Sequence, residues 1–238
     1  MPTPAGRFIV FEGIEGAGKS TQLKRLSEWL SQSPWMDAIR QSLAPNAVPL
    51  MVTREPGGTA LGQALRRLLL DSALTAEEGL PDVTELLLYA ADRAQHVYTT
   101  IRPALEQGTL VLCDRYVAST IAYQGYGRGL SASLIEQLNS IATGGLQSDL
   151  TLWLDLEVPQ GLTRARERRH ADVPLQGSDR MEAEDLAFHQ RVKQGFFDLA
   201  QANPESMVRI NASGTETDVA SRIQAVMIQH LERWYPLA

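Results

Sequence analysis

The residues between positions 13 and 20 carry the strongest chemical signal in the sequence. They read Gly13-Ile14-Glu15-Gly16-Ala17-Gly18-Lys19-Ser20, a full match to the pattern G-x-x-x-x-G-K-[ST]. Glycines let successive backbone N–H groups converge on phosphate oxygens, and the N-terminus of a following helix adds partial positive charge. The pattern therefore predicts a P-loop, which binds the phosphates of a nucleoside triphosphate.

Individual residues of this P-loop have separate expected roles. The predicted ATP contacts are Gly13, Glu15, Gly16, Ala17, Gly18, Lys19, Ser20 and Thr21. Lys19 is expected to reach the β- and γ-phosphates and to act in catalysis, and Ser20 is expected to ligate the Mg²⁺ that is bound with ATP. The glycines do not match G-x-G-x-x-G, which excludes a dinucleotide-binding dehydrogenase.

Two arginines follow predicted strands elsewhere in the chain. One stands in the run Thr53-Arg54-Glu55-Pro56-Gly57-Gly58 and the other in Asp114-Arg115-Tyr116. A guanidinium fork suits a phosphate monoester, so Arg54 and Arg115 are expected to clamp a second phosphate, with Arg115 also acting in catalysis. Asp114 is expected to assist Mg²⁺ through water or to hold an arginine, and a purely structural pairing stays open.

The elements that position these residues follow from short apolar runs that alternate with longer helix-like segments. This alternation predicts an α/β fold of the P-loop kinase type, with a five-stranded parallel sheet flanked by helices. The predicted strands are Phe8 to Glu12, Pro49 to Thr53, Thr109 to Cys113, Leu150 to Asp155 and Met207 to Asn211. The predicted helices are Lys19 to Ser31, Ala60 to Leu70, Thr84 to Gln107, Ser131 to Thr143, Pro159 to Arg168, Glu182 to Ala202 and Glu216 to Trp234. The predicted loops are Gln32 to Ala47 and His170 to Arg180.

Composition narrows the class of protein. The 238 residues carry a formal charge of −6, which argues against a nucleic-acid or membrane-surface binder. The absence of an apolar leader or membrane-spanning stretch favours the cytoplasm. Cys113 lies in an apolar run that favours a buried structural thiol, and the four histidines lack ligand spacing, so no protein-ligated structural metal is expected.

A P-loop alone does not define a reaction, because kinases, motor ATPases, GTPase switches and synthetases share it. The sequence contains no N-K-x-D motif for guanine and no long acidic strand of a motor ATPase. An ATP-dependent ligase or a binding-only module would need other polar residues at the carboxyl ends of the strands.

Five segments together resemble the motif series of the thymidylate kinases in order and spacing. They are Gly13 to Thr21, Thr53 to Gly58, Tyr89 to Gln95, Asp114 to Tyr116 and Ala122 to Gly125, within a resemblance that covers roughly Phe8 to Asn211. The resemblance implies a single kinase domain over residues 1–238 that moves the γ-phosphoryl group of ATP to dTMP, giving dTDP and ADP for dTTP synthesis, and a homodimer. A kinase for another nucleoside monophosphate, a deoxynucleoside kinase and a nucleotide-binding module without turnover remain alternatives.

The resemblance also implies a base and sugar site. The implied dTMP contacts are Glu15, Arg54, Tyr89, Arg93, Arg115, Ser119, Tyr123 and Gln124. Tyr89 would stack on thymine and Arg93 would donate to a base carbonyl, and a spacing of four places both on one helix face. Tyr123 would block a ribose 2′-hydroxyl, and Glu15 would approach the sugar 3′-hydroxyl. Position 89 more often holds phenylalanine in the family.

Phosphoryl transfer spreads negative charge over the equatorial oxygens, yet the variable P-loop positions contain no arginine. A lid over approximately residues 166–181 is therefore expected to supply the cation, and its candidates are Arg164, Arg166, Arg168, Arg169 and Arg180. This pattern resembles the bacterial subclass with basic lid residues. At least one of Arg164, Arg166 and Arg169 is expected to act on the transferring group, with Arg166 as the catalytic candidate. A solvated, salt-bridged helix end is the alternative for each arginine.

Overall fold

The structure is a computed structural model that describes residues 6–71, 79–171 and 180–237, without the side chains of residues 168–171. Its sheet consists of β1 (Phe8–Glu12), β2 (Leu50–Arg54), β3 (Leu110–Asp114), β4 (Leu150–Asp155) and β5 (Met207–Asn211). All four neighbouring pairs are parallel, and the order is β2-β3-β1-β4-β5. The predicted five-stranded parallel sheet is confirmed.

Helices flank both faces of this sheet. The α-helices of the described residues are α1 (Lys19–Ser31), α2 (Trp35–Gln41), α3 (Ala60–Leu70), α4 (Asp82–His96), α5 (Arg102–Glu106), α6 (Val117–Thr120), α7 (Ala132–Thr143), α8 (Val158–Ala171), α9 (Leu186–Ala202) and α10 (Glu216–Trp234). Two π-helices lie between them, the first over Val97–Ile101 and the second over Ile121–Gly127. Among the described helices, none combines the length and apolar character that crossing a membrane requires.

The central strand β1 joins two apolar clusters because successive side chains of a strand point to opposite faces. Ile9 and Phe11 belong to the larger cluster with residues of α1, α9 and α10. Phe8 and Val10 belong to a second cluster with residues of α5 and β3. All four side chains are buried. Packing on both faces makes β1 a rigid support for the P-loop that follows it.

The predicted loop from Gln32 to Ala47 is wrong in its first half, where α2 forms. Pro34 stands at the N-cap of α2, and proline tolerates the start of a helix because its missing N–H would be unpaired there. Trp35, Met36 and Ile39 are buried against the core. Tertiary packing of these three side chains therefore stabilises a helix too short to stand out in the sequence.

The predicted helix from Thr84 to Gln107 is present but changes its winding. It runs as α4, widens into the first π-helix over Val97–Ile101, and continues as α5. Pro103, in the first turn of α5, has no N–H for an α-helical bond, and the wider turn directly precedes it. The second π-helix, over Ile121–Gly127, lies where the sequence pattern predicted no helix. It carries Tyr123 and Gln124.

Candidate active site

The carboxyl ends of β1, β2 and β3 open into a cleft with about 950 Å³ of space, part of it open to solvent. The predicted site residues that line this cleft are Glu15, Gly16, Lys19, Ser20, Arg54, Tyr89, Arg93, Asp114, Arg115, Ser119, Tyr123 and Gln124. The fold thus brings predicted ATP contacts and predicted dTMP contacts together in one cleft. The cleft also contains residues that the prediction did not assign: Glu55, Pro56, Arg66, Leu70, Thr120, Met181 and Glu182.

The P-loop is shaped by glycine and packs against α8. Gly16 has φ 71°, and a Cβ atom there would lie 2.0 Å from the carbonyl oxygen of Gly161 in the early part of α8. The Lys19 ammonium donates hydrogen bonds to the backbone oxygens of Gly13 (3.0 Å) and Ile14 (2.8 Å). Burial, followed by the charge of Arg115, lowers the pKa of Lys19 to about 8. The loop therefore holds its cation inside the phosphate cradle.

Ser20 and Asp114 meet where the start of α1 faces the end of β3. The Ser20 hydroxyl donates to Oδ2 of Asp114 at 2.7 Å. The other oxygen, Oδ1, is buried and has no hydrogen-bond partner among the described residues. A buried carboxylate oxygen without a partner calls for a missing donor or cation, and hard oxygen ligands suit Mg²⁺. The pair therefore fits the predicted Mg²⁺ position.

Arg115 links the P-loop to the residues of the second predicted substrate. It adopts φ 72°, a left-handed conformation that is unfavourable for a residue with a side chain. Its Nη1 donates to the Gly13 carbonyl oxygen (3.1 Å) and to the Ser119 hydroxyl (3.1 Å). Its Nη2 donates to Oε1 of Glu15 at 2.7 Å. These bonds hold the guanidinium between the two halves of the cleft.

Glu15 belongs to the P-loop, but its carboxylate is bonded to side chains outside that loop. Its Oε1 accepts from Arg115, and its Oε2 accepts from the Tyr123 hydroxyl at 2.7 Å. Burial alone would raise the pKa of Glu15, but Arg115 and Lys19 outweigh burial and leave the pKa below its usual value. His189, which the sequence did not single out, is fully buried with Nδ1 3.8 Å from Oε2. The ionised form of this carboxylate is therefore favoured.

Arg93 makes more hydrogen bonds to the protein than the predicted contact with a base requires. It is buried, its Nε donates to Oε2 of Glu55 (2.9 Å), and its Nη2 donates to the backbone oxygen of Tyr116 (2.9 Å). Its Nη1 donates to Thr120 (2.9 Å) and Asn139 (2.6 Å). These bonds use four of the five guanidinium N–H groups. Arg93 therefore fixes the wall of the cleft and keeps one N–H on Nη2.

Glu12, the last residue of β1, is a functional neighbour that the sequence analysis missed. Its Oε1 accepts from the backbone N–H groups of Tyr116 (2.9 Å) and Ser119 (3.1 Å), and its Oε2 accepts from the Ser119 hydroxyl (2.6 Å). Burial raises the pKa of Glu12. A carboxylate at the end of an apolar strand was the available signal. Ser119 is thereby fixed beside Arg115.

The predicted lid arginines fall into three groups. Arg164 and Arg166 lie on α8, whose early residues pack against the P-loop, and Arg166 is exposed. The side chains of Arg168 and Arg169 lie outside the described residues, as do residues 172–179 of the predicted lid. The guanidinium of Arg180 pairs with buried Glu85 and donates to the Leu69 carbonyl oxygen.

A family model described as "Thymidylate kinase" matches residues 11–223. The chain belongs to the thymidylate kinase family. It is 57% identical to a thymidylate kinase of a Cyanothece species over 231 residues, which cover 97% of each chain. It is 53% identical to one of Acaryochloris marina, over 97% of this chain and 99% of the relative. A solved thymidylate kinase from Ehrlichia chaffeensis superposes with a TM-score of 0.70 at 33% identity, covering 94% of this chain and 99% of that one.

Family membership over nearly the full chain identifies the activity of the enzyme. It is a kinase, a transferase of nucleotide biosynthesis, that uses ATP to phosphorylate dTMP. The P-loop kinase fold predicted from the sequence is that of the family. The alternatives of a different nucleotide kinase and of a binding module without turnover are thereby set aside.

Proposed function

We propose that the two ends of the cleft divide the reaction between them, with ATP on the P-loop from Gly13 to Thr21 and dTMP on the side of Tyr89. The position of Arg115 carries this proposal. Its guanidinium is bonded both to the P-loop at Gly13 and to Glu15 and Ser119 on the acceptor side. A cation in that position can contact both the γ-phosphate of ATP and the phosphate of dTMP.

The transfer itself needs alignment and charge stabilisation rather than a strong base. Lys19 neutralises charge on the β- and γ-phosphates of ATP. Arg54, at the end of β2, and Arg115 clamp the dTMP phosphate, which is the nucleophile. Arg166, on the helix that packs against the P-loop, supplies charge to the transferring group when the lid closes.

The nucleoside part of dTMP occupies the remaining walls. Tyr89 stacks on the base, and the remaining N–H of Arg93 donates to a base carbonyl oxygen. Tyr123 lies against the sugar, where its ring blocks a ribose 2′-hydroxyl. Its hydroxyl is already committed to Glu15, at 2.7 Å, which supports steric exclusion rather than a hydrogen bond to the substrate. Glu15 keeps its remaining lone pairs for the sugar 3′-hydroxyl.

Ser20 and Asp114 would hold the Mg²⁺ that is bound with ATP. The ion would neutralise negative charge on the ATP phosphates. The support in this chain is the buried Oδ1 of Asp114, which lacks a partner among the described residues, next to the Ser20 hydroxyl. No structural metal held by protein side chains alone is part of the proposal.

The Mg²⁺ dependence of ADP release tests this assignment. Asp114→Asn should raise the Mg²⁺ concentration for half-maximal activity about 10–100-fold, and high Mg²⁺ should restore part of the rate. Asp37→Asn, which changes an exposed aspartate on α2, should leave the Mg²⁺ dependence as in wild type. An unchanged Mg²⁺ requirement in Asp114→Asn would remove Asp114 from the metal site.

We also propose a cytoplasmic homodimer. Its support is a set of exposed apolar side chains on elements that pack together: Val83 and Leu87 on α4, Tyr98 on the first π-helix, and Leu134 and Ile141 on α7. Exposed apolar area of this kind marks contact surfaces. Sedimentation equilibrium should give twice the mass of the chain, and a monomer at micromolar concentration would contradict the dimer. The cytoplasm follows from where ATP and dTMP are found.

A further inference from the structure

Glu85 is a fully buried carboxylate on α4 that the proposed reaction does not use. Its Oε1 accepts a hydrogen bond from Nε2 of Gln124 at 2.6 Å. Its Oε2 accepts from Arg128, at 3.2 Å, and from Arg180. Glu85 therefore divides its two oxygens between a side chain that lines the cleft and two arginines.

This division determines how the amide of Gln124 is turned. Both oxygens of the Glu85 carboxylate act as hydrogen-bond acceptors, one toward Gln124 and the other toward Arg128 and Arg180. The NH₂ group of Gln124 must therefore face Glu85. Its carbonyl oxygen Oε1 accepts no hydrogen bond from the described residues, and Gln124 lines the cleft. The amide presents an acceptor to the substrate.

An acceptor at this place distinguishes pyrimidine bases. Thymine and uracil carry a donor, N3–H, whereas N3 of cytosine is an acceptor. The remaining N–H of Arg93 complements this pattern, because it matches the O4 carbonyl of thymine and opposes the 4-amino group of cytosine. A buried polar group without a partner costs about 1–3 kcal/mol, so mismatched hydrogen-bonding patterns are strongly rejected.

We propose that Glu85 is a specificity-determining residue that selects thymine over cytosine by fixing the orientation of the Gln124 amide. It acts as a positioning residue, since Gln124 rather than Glu85 contacts the base. The inference rests on the placement of the base proposed above. It adds that the buried carboxylate of Glu85 holds the NH₂ group of Gln124, so that the carbonyl oxygen of Gln124 is left as the acceptor.

Glu85→Gln is the sharpest test because it replaces one carboxylate oxygen, which accepts hydrogen bonds, with an NH₂ group, which donates them. The two arginines require an oxygen, so the new amide would keep its oxygen toward Arg128 and Arg180 and turn its NH₂ group toward Gln124. Gln124 would then turn its own carbonyl oxygen to that NH₂ group and present donors to the base. The ratio of kcat/KM for dTMP to kcat/KM for dCMP should fall about 10–100-fold, with KM for ATP unchanged.

Glu184→Gln is the matched control. Glu184 pairs with Arg128 at 2.6 Å in the same network but is not bonded to Gln124. The same chemical change there should leave the dTMP to dCMP ratio within about twofold of wild type. If Glu85→Gln does not fold by circular dichroism, Glu85→Asp serves instead. It keeps the charge for the arginines and withdraws the oxygen from Gln124, so the ratio should again fall.

The outcomes separate this inference from the proposed function. Wild-type enzyme that fails to phosphorylate dTMP would contradict the function itself. Wild-type activity on dTMP, combined with an unchanged dTMP to dCMP ratio in the folded Glu85 variant, would overturn the role of Glu85 alone. An equal fall in Glu184→Gln would also overturn it, because general loosening of the network would then explain the change.

Discussion

The proposed phosphate end and the proposed base end of the cleft are built in different ways. At the phosphate end, one continuous loop supplies most contacts, Lys19 is held by the backbone oxygens of Gly13 and Ile14, and Arg115 also donates to the Gly13 oxygen. At the base end, Glu85 and Gln124 come from different helices and meet through a buried bond between side chains. Backbone geometry therefore forms the first end, and tertiary packing of side chains forms the second.

This difference separates phosphoryl transfer from the selection of the acceptor nucleotide. A loop built from backbone groups and one lysine binds any triphosphate, which is why the P-loop occurs with many reactions. The base end depends on particular hydrogen-bond donors and acceptors, each fixed by a buried partner. Changes at the phosphate end should therefore reduce turnover for every acceptor, and changes at the base end should alter the choice of acceptor.

Replacement of Lys19 should have the largest effect. Lys19→Met removes the positive charge inside the P-loop and should lower kcat at least 100–1000-fold, by analogy with the loss of one transition-state donor (~10²–10³). Lys24→Met changes an exposed lysine on the same helix and should leave kcat unchanged. Steady-state ADP release measures both. Wild-type turnover in Lys19→Met would contradict the assignment of the phosphate end.

Replacement of Arg166 tests whether the lid completes the phosphate end. Arg166→Ala should lower kcat by about 10³-fold if it meets the transferring group, with little change in ATP affinity, because the contact forms mainly in the transition state. Arg164→Ala and Arg169→Ala are the companion variants, and Arg40→Ala on α2 is the surface control. The lid hypothesis fails if all three lid variants keep kcat within a few-fold of wild type.

Loss of the Tyr89 ring should alter the base end alone. Tyr89→Ala should raise KM for dTMP about 10–100-fold, since stacking of a base on an aromatic ring contributes about 1–3 kcal/mol, and should leave KM for ATP nearly unchanged. Tyr89→Phe keeps the ring and should bind dTMP like wild type. Equal increases in both Michaelis constants would place Tyr89 outside the acceptor site.

The smallest effect concerns pH and involves only the phosphate end. The pKa of Lys19 is lowered to about 8 in the protein without ligand, so the ammonium loses its proton as the pH rises through 8. Above about pH 8, the affinity for ATP should therefore decrease with rising pH, by up to about tenfold per pH unit. The affinity for dTMP, measured without ATP, should not show this decrease. Calorimetric titrations between pH 7 and 9.5 measure both. A flat ATP profile would contradict the lowered pKa.

The strands around the P-loop could be predicted from the sequence far better than the side-chain contacts of the proposed base end. The P-loop motif can be read directly from the sequence, and the five strands agree with the structure within one residue. These features are local, because a strand with two apolar faces and a glycine-rich loop can be recognised from neighbouring residues. Arg54, Asp114 and Arg115 were found because they directly follow or end such strands.

The base end depends on partners that are distant in the sequence. Glu55 and Glu85 bind Arg93 and Gln124 across 38 and 39 residues, so no short motif joins them. The second π-helix was also not predicted, since its residues have no distinctive pattern and its winding depends on packing. Glu85 shares its face of α4 with Asp92, Arg93 and His96, which are also buried, so no apolar pattern in the sequence marked that face as buried.

One assay tests the division between the two ends most directly. ADP release should be measured with dTMP, dUMP, UMP, CMP, AMP, GMP and thymidine under identical conditions. We predict the highest kcat/KM for dTMP, weak use of the ribonucleotides and purines, and no use of thymidine, which lacks the phosphate that Arg54 and Arg115 bind. Thymidine or CMP used as efficiently as dTMP would contradict the account.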